Sequence, residues 1–243
     1  MKFGYEGSFV RFPAWINIDN YLNAEIDRSF IDTFKIIFVG SVTERKNPKI
    51  IIESIETIDT KISIEIIGQT PNLKYLKELK ELISQSKHSQ NIILTPFIPS
   101  KELIKKYSSA NLFILPSKSE GLGRVIIEAQ STACPVLVSS NTGMTDLIIE
   151  NETGYIFENN NKQDLKDKID KMMKDRTDLV HGIQKLKGSI NDLNQRGRER
   201  LLEAFEKVSR KFNDVYTKLF SGGSARLEMV ESDDPLAVSY THL

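Results

Sequence analysis

The chain contains one cysteine, Cys134, and three histidines, His88, His181 and His242, among its 243 residues. A single thiol excludes an internal disulfide framework, and neither it nor the scattered imidazoles has the paired spacing of a zinc site. Net charge is absent as well. The 33 lysines and arginines balance 33 aspartates and glutamates, so no overall field draws the protein to nucleic acid or to an anionic membrane. No apolar run approaches the roughly 20 residues that span a bilayer, and no basic start with an apolar core resembles a signal peptide. Together these absences predict a cytoplasmic, reducing location without a metal or a nucleic-acid partner. Neither GxGxxG nor GxxxxGK[ST] occurs, which removes the dinucleotide and P-loop patterns.

What remains is an ordinary apolar content, 40%, arranged with a rhythm. From Phe34 short β-branched or aromatic runs alternate with stretches of helical length. Strands are expected at 34–39, 62–67, 91–94, 112–115, 135–138 and 154–157. Helices are expected at 48–57, 73–86, 100–109, 122–132 and 162–174, with a short one at 145–150. Pro48 suits a first helical turn, and Ser100 suits a cap. Most of these strands lack in/out alternation, as expected when both sheet faces are covered. Right-handed crossovers then give a doubly wound, Rossmann-like parallel sheet over 33–175.

The flanks differ. Residues 1–32 are aromatic and irregular and read as an interdomain linker. Residues 176–220 are charged and helical, with Leu201, Leu202, Phe205, Val208, Phe212, Val215 and Leu219 forming an apolar stripe that wants a partner surface. Residues 221–243 break from this composition and are expected to be disordered. Their end, "AVSYTHL", resembles translated sequencing-adapter read-through.

In open parallel sheets ligands gather beyond the carboxyl ends of the strands. Two loops there carry unusual chemistry. "SEGLGRVIIEA", Ser119 to Ala129, sets Glu120 before Gly121, Leu122 and Gly123 and places Glu128 in the following helix. Glycines let ligand oxygens approach the backbone, and amides at a helix start favour phosphate. Carboxylates accept hydrogen bonds from sugar hydroxyls, so the loop suits a ligand with both phosphates and hydroxyls, as in a nucleotide sugar. The bland reading is an Arg124–Glu128 surface pair and a Glu120 that favours the helix dipole. "FVGSVTERKNP" is the second loop: Gly40 ends the first strand, and Lys46, beside Arg45, can act as a point charge for a diphosphate. Taken alone, Lys46 reads more readily as a solvated base beside Arg45; its position after the first strand favours the diphosphate role.

The combination resembles the C-terminal, donor-binding half of retaining GT-B glycosyltransferases of the family 4 type. "FVGSVTERKNP", "EIIG", "ENETGYIF" and the segment from "ANLFILPSKSEGLGRVIIEAQ" to "NTGMTDLI" carry the likeness, over about residues 10 to 220. The resemblance implies that Glu120 lies near the donor sugar, Glu128 binds the ribose, and Lys46 meets the diphosphate. It assigns Glu120 and Lys46 to catalysis. It also implies that Gly40, Ser41, Gly121, Leu122 and Gly123 approach phosphate or sugar oxygens and that Phe97 and Ile98 touch the base. Ser41 stands where the family has an arginine, which shifts neutralisation to Lys46 or Arg45. Gly143 is kept, with Asp146 in place of a glutamate. The resemblance further implies a metal-free transfer to an acceptor hydroxyl, an N-terminal acceptor-binding domain missing from this chain, and an inactive lone half. The acceptor would be a glycan or lipid, with peripheral contact to the inner membrane surface among the partners it allows. A helix at 198–220 would cross back onto the absent domain. A nonenzymatic nucleotide-sugar module and a sugar-nucleotide epimerase are the alternative readings.

Overall fold

A computed structural model describes residues 17–26, 28, 33–220, 225–230 and 239–241. Of the stretch "FPAWINIDNYL" in the expected linker, residues 12–16 lie outside them. The chain divides into two units, Met1–Asp175 and Arg176–Leu243.

The first unit is built on six parallel strands: β1 Phe34–Val39, β2 Ile62–Ile67, β3 Ile92–Thr95, β4 Leu112–Leu115, β5 Val136–Ser139 and β6 Gly154–Phe157, in the order β3-β2-β1-β4-β5-β6. Register follows from one-to-one pairing, Phe34 with Ile62 through Val39 with Ile67. The third and fifth strands start one residue later than expected. Pro135 has no amide to donate, and its carbonyl accepts from the Phe113 amide at 2.9 Å as the ladder begins.

Alternate residues of the strands enter separate cores, except in the edge strand β3, where Ile93 is exposed. Phe34, Ile36 and Phe38 pack with helices α2 (Lys49–Ile55) and α3 (Leu73–Gln85) and with the start of α6, through Leu165, Ile169 and Met173. Ile37, Val39, Phe113 and Leu115 pack with α1 (Asp19–Leu22), α4 (Ser100–Ser109) and α5 (Arg124–Ser131). This is the doubly wound arrangement. Its driving force shows in α2, "KIIIESI", where a β-branched run of low helix propensity is helical because Ile50, Ile51, Ile52 and Ile55 are all buried. Each such side chain contributes about 1.5–3 kcal/mol, which outweighs the propensity penalty.

Several helix boundaries differ from expectation. The α4 helix opens on the carbonyl of Pro99, which accepts from both Glu102 and Leu103, so Ser100 lies inside the helix and does not cap it. The α5 helix begins at Arg124, because Gly123 takes φ −42° and ψ 65° and interrupts helical geometry. Residues 145–150 reduce to a single 3-10 turn, Thr145–Leu147. Most different is α6, one helix of 58 residues, Lys162–Leu219. Nothing in its sequence between the two expected helices stops propagation; Gly182 and Gly188 are tolerated with open space around them. Within the stretch expected to be disordered, β7 (Glu228–Val230) and β8 (Ser239–Thr241) pair antiparallel.

Arg28 anchors the segment before β1. Its guanidinium donates to the carbonyls of Ala110 at 2.7 Å, Tyr107 at 3.3 Å and Thr132 at 2.6 Å. These are the carboxyl ends of α4 and α5, where a cation meets unpaired carbonyls.

Candidate donor site at the switch point of the sheet

Strand order reverses direction between β1 and β4. Their carboxyl-end loops therefore splay apart and leave a crevice, the place where such sheets bind ligands. Both unusual loops of the sequence meet there. Lys46, after β1, pairs with Oε2 of Glu120, after β4, and the two side chains are only 12% and 13% exposed. Ser117 Oγ donates to the same carboxylate at 3.4 Å. Arg45 Nη1 lies 3.6 Å from it and donates to the Ser119 carbonyl at 2.8 Å. Two cations thus face one acid. The side chain of Lys46 passes Gly40, with Cε 3.9 Å from where a Cβ there would stand.

Backbone contacts hold this crevice in shape. The Lys118 amide donates to the Arg45 carbonyl at 2.8 Å, tying the two loops. The loop after β5 closes the other side: Glu120 donates to Asn141 at 3.1 Å, and Gly143 donates to Glu120 at 2.8 Å. Gly143 is obligatory here, since a Cβ would sit 2.1 Å from the Gly121 carbonyl oxygen. The amides of Gly121, Leu122 and Gly123 donate no hydrogen bond among the described residues, and Gly121 has open space before it. Three consecutive unpaired donors follow Glu120, the acid that two cations face, and are open to an anion's oxygens. They lie in the loop ahead of α5 rather than at its first turn as the sequence suggests.

Five residues into α5 stands Glu128. It lines an open cleft of about 1520 Å³ together with Tyr21, Ile26, Phe97, Ile98 and Arg124. Phe97 is 69% exposed, an apolar surface left uncovered. Glu128 does not form the surface pair with Arg124 that its spacing allows. Its Oε2 accepts instead from the Tyr107 hydroxyl at 3.3 Å. Burial raises the Glu128 pKa, against the opposing pull of Tyr107 and Arg124. The structure therefore brings Gly40, Lys46 and Glu120 together, and separately Phe97, Ile98 and Glu128. Ser41 is exposed in the first loop, and Asp146 is exposed in the 3-10 turn after Gly143.

The remaining unusual residues are structural. Cys134 is buried, and its thiol is pushed up to about 12. His88 Nε2 lies 3.2 and 3.1 Å from the carbonyls of Ile55 and Ile58. Sequence reasoning missed Tyr107, Tyr21 and Ser117: two aromatics at core spacing and one short polar side chain carry no local signal of a site.

The family model for glycosyl transferases group 1 matches residues 24–187. The chain belongs to this family. Its first unit is a glycosyltransferase domain of the GT-B type. It is 28% identical over 171 residues to the capsular polysaccharide biosynthesis glycosyltransferase CapM of Staphylococcus aureus, covering 69% of this chain and 44% of CapM. This glycosyltransferase chain thus spans less than half the length of CapM. Among solved structures, Anabaena HepE in complex with UDP superposes with a TM-score of 0.60 at 19% identity, over 66% of this chain and 46% of HepE, which shows a common fold. A third likeness is of another kind: 54% identity over 67 residues, 28% of this chain, to the chromosome partition protein Smc of Cereibacter sphaeroides, of which it covers 6%. The family match ends at residue 187, short of the 198–220 helix that the sequence resemblance includes.

Proposed function

We propose that the first unit binds a nucleotide diphosphate sugar in the β1/β4 crevice and, completed by an acceptor-binding domain, transfers the sugar to an acceptor hydroxyl. The observation that carries this reading is the set of three unpaired amides, Gly121 to Gly123, beside the Lys46–Glu120 pair. The amides and Lys46 suit a diphosphate; Arg45 supplies the second cation that Ser41 does not. Before ligand arrives, Glu120 satisfies Lys46. When the diphosphate enters, Lys46 gains a second anion, and Glu120 is positioned to accept hydrogen bonds from the sugar. Glu128 lines the adjoining cleft as acceptor for the ribose hydroxyls, and the exposed ring of Phe97 offers a face to the base.

Chemistry follows from charge. As the glycosidic bond breaks, negative charge builds on the leaving diphosphate, and fixed amides and cations stabilise it without reorganisation. We assign the transfer to the family 4, retaining type, with no protein side chain as nucleophile and no metal required. HepE's binding of UDP supports a nucleotide donor. The test is calorimetric titration of the chain with UDP-, GDP- and ADP-sugars. Saturable binding of one of them supports the reading, and binding of none ends it.

A different ancestry is the reading for the second unit, Arg176–Leu243. The Smc likeness has the length of this unit and nearly twice the identity of the CapM match. No described residue after Met173 is buried. We therefore infer that the chain joins a glycosyltransferase domain to an Smc-type helical segment, and that this segment contributes nothing to the donor site. The helix at 198–220 then has no role in packing on an acceptor domain.

A further inference from the structure

We propose that Tyr107 is the positioning residue that aims Glu128 at the ribose, a role that rests on the donor-site reading above. Tyr107 lies in the last turn of α4 and is completely buried. Its ring meets Phe113 edge-on at 5.7 Å between centroids and Tyr21 at 6.4 Å. Aromatic rings thus pack against it from two neighbours. A buried phenol needs an acceptor, and the one it finds is Oε2 of Glu128 at 3.3 Å, across the α4–α5 contact.

This fixes more than a distance. With Oε2 occupied, Oε1 of Glu128 accepts no hydrogen bond among the described residues, and Glu128 lines the open cleft. A carboxylate oxygen has two lone pairs, which matches the two adjacent hydroxyls of a ribose. Arg124, one turn earlier, acts on Glu128 through charge alone and leaves that oxygen open. Tyr107 thus selects which oxygen is offered, and it does so from a position no ligand reaches.

The test compares uridine, guanosine and adenosine diphosphates with their 2′,3′-dideoxy counterparts, titrated into the full chain. The wild type is expected to prefer the ribonucleotide of the pair it binds by about tenfold or more. Tyr107→Phe keeps the ring and its packing, and it is expected to reduce that preference severalfold while the dideoxy affinity stays constant. A purely structural tyrosine would weaken both ligands alike. Glu128→Gln serves as the second variant: if Tyr107 acts through Glu128, adding Tyr107→Phe to it brings no further loss of preference. Binding of no diphosphate, or equal wild-type affinity for both members of every pair, overturns the donor reading itself. A wild-type preference that survives in Tyr107→Phe overturns the role of Tyr107 alone.

Discussion

Lys46 and Glu120 are nearly buried, so each depends on the other. Removing the lysine leaves a carboxylate with only Ser117 and the more distant Arg45 among the described residues. Lys46→Ala is expected to lower folding stability by about 1.5–3 kcal/mol, measurable by urea unfolding. Glu128 behaves in the opposite way. Burial raises its pKa in the folded state, so the folded protein holds that proton more tightly than the unfolded chain does. The resulting penalty is complete at neutral pH, where the carboxylate is ionised, and vanishes as pH falls below the ordinary carboxylate range. Glu128→Gln is therefore expected to raise the melting temperature at pH 7 and to leave it unchanged near pH 3, below the ordinary carboxylate range. A gain that is independent of pH would contradict this. Such a residue, destabilising while unliganded, is what a binding site maintains at the expense of the fold. Cys134, whose pKa is about 12, is expected to resist alkylation until the protein is unfolded, as mass spectrometry would report.

At the level of elements, two close approaches set the crevice. A Cβ on Gly68 would lie 2.0 Å from the Gly40 carbonyl oxygen, and one on Gly143 would lie 2.1 Å from that of Gly121. Backbone cannot yield as a flexible side chain does. Gly143→Ala is expected to displace the 119–123 loop and abolish nucleotide-sugar binding in calorimetry while the circular dichroism spectrum keeps its α/β form. These elements were legible in unequal measure. Strands such as "FKIIFV" and "LFIL" announce themselves because both faces are buried and nearly every residue is apolar, and the two acids announce themselves because Glu120 precedes a glycine-rich turn and Glu128 interrupts an apolar helical run. Partnership was not legible. Glu120 finds Lys46 across 74 positions, and Glu128 finds Tyr107 on another helix, through contacts that no local spacing encodes. The start of α5 escaped for a different reason: "GLG" fits a helix N-terminus as well as a loop, and only the backbone angles of Gly123 decide. The length of α6 escaped because uninterrupted amphipathic sequence has no internal stop signal.

On the scale of the whole molecule, the sheet and its two apolar layers are complete by Met173. Beyond it, Leu179, Ile183, Leu186, Ile190 and Leu193 recur at steps of four and three and are each at least 38% exposed. Such spacing of exposed apolar residues suits a helix–helix surface. Replacing Leu186 and Ile190 together by Glu is expected to leave nucleotide-sugar affinity unchanged in the full chain; a loss would tie the second unit to the site. The central claim is that the β1/β4 crevice grips a donor by its diphosphate. Its most direct measurement is titration of the full chain and of Lys46→Ala with the same nucleotide diphosphate sugar. Saturable binding by the wild type and an affinity at least about tenfold lower in the variant are expected; equal affinity in the two proteins would contradict a grip on the diphosphate.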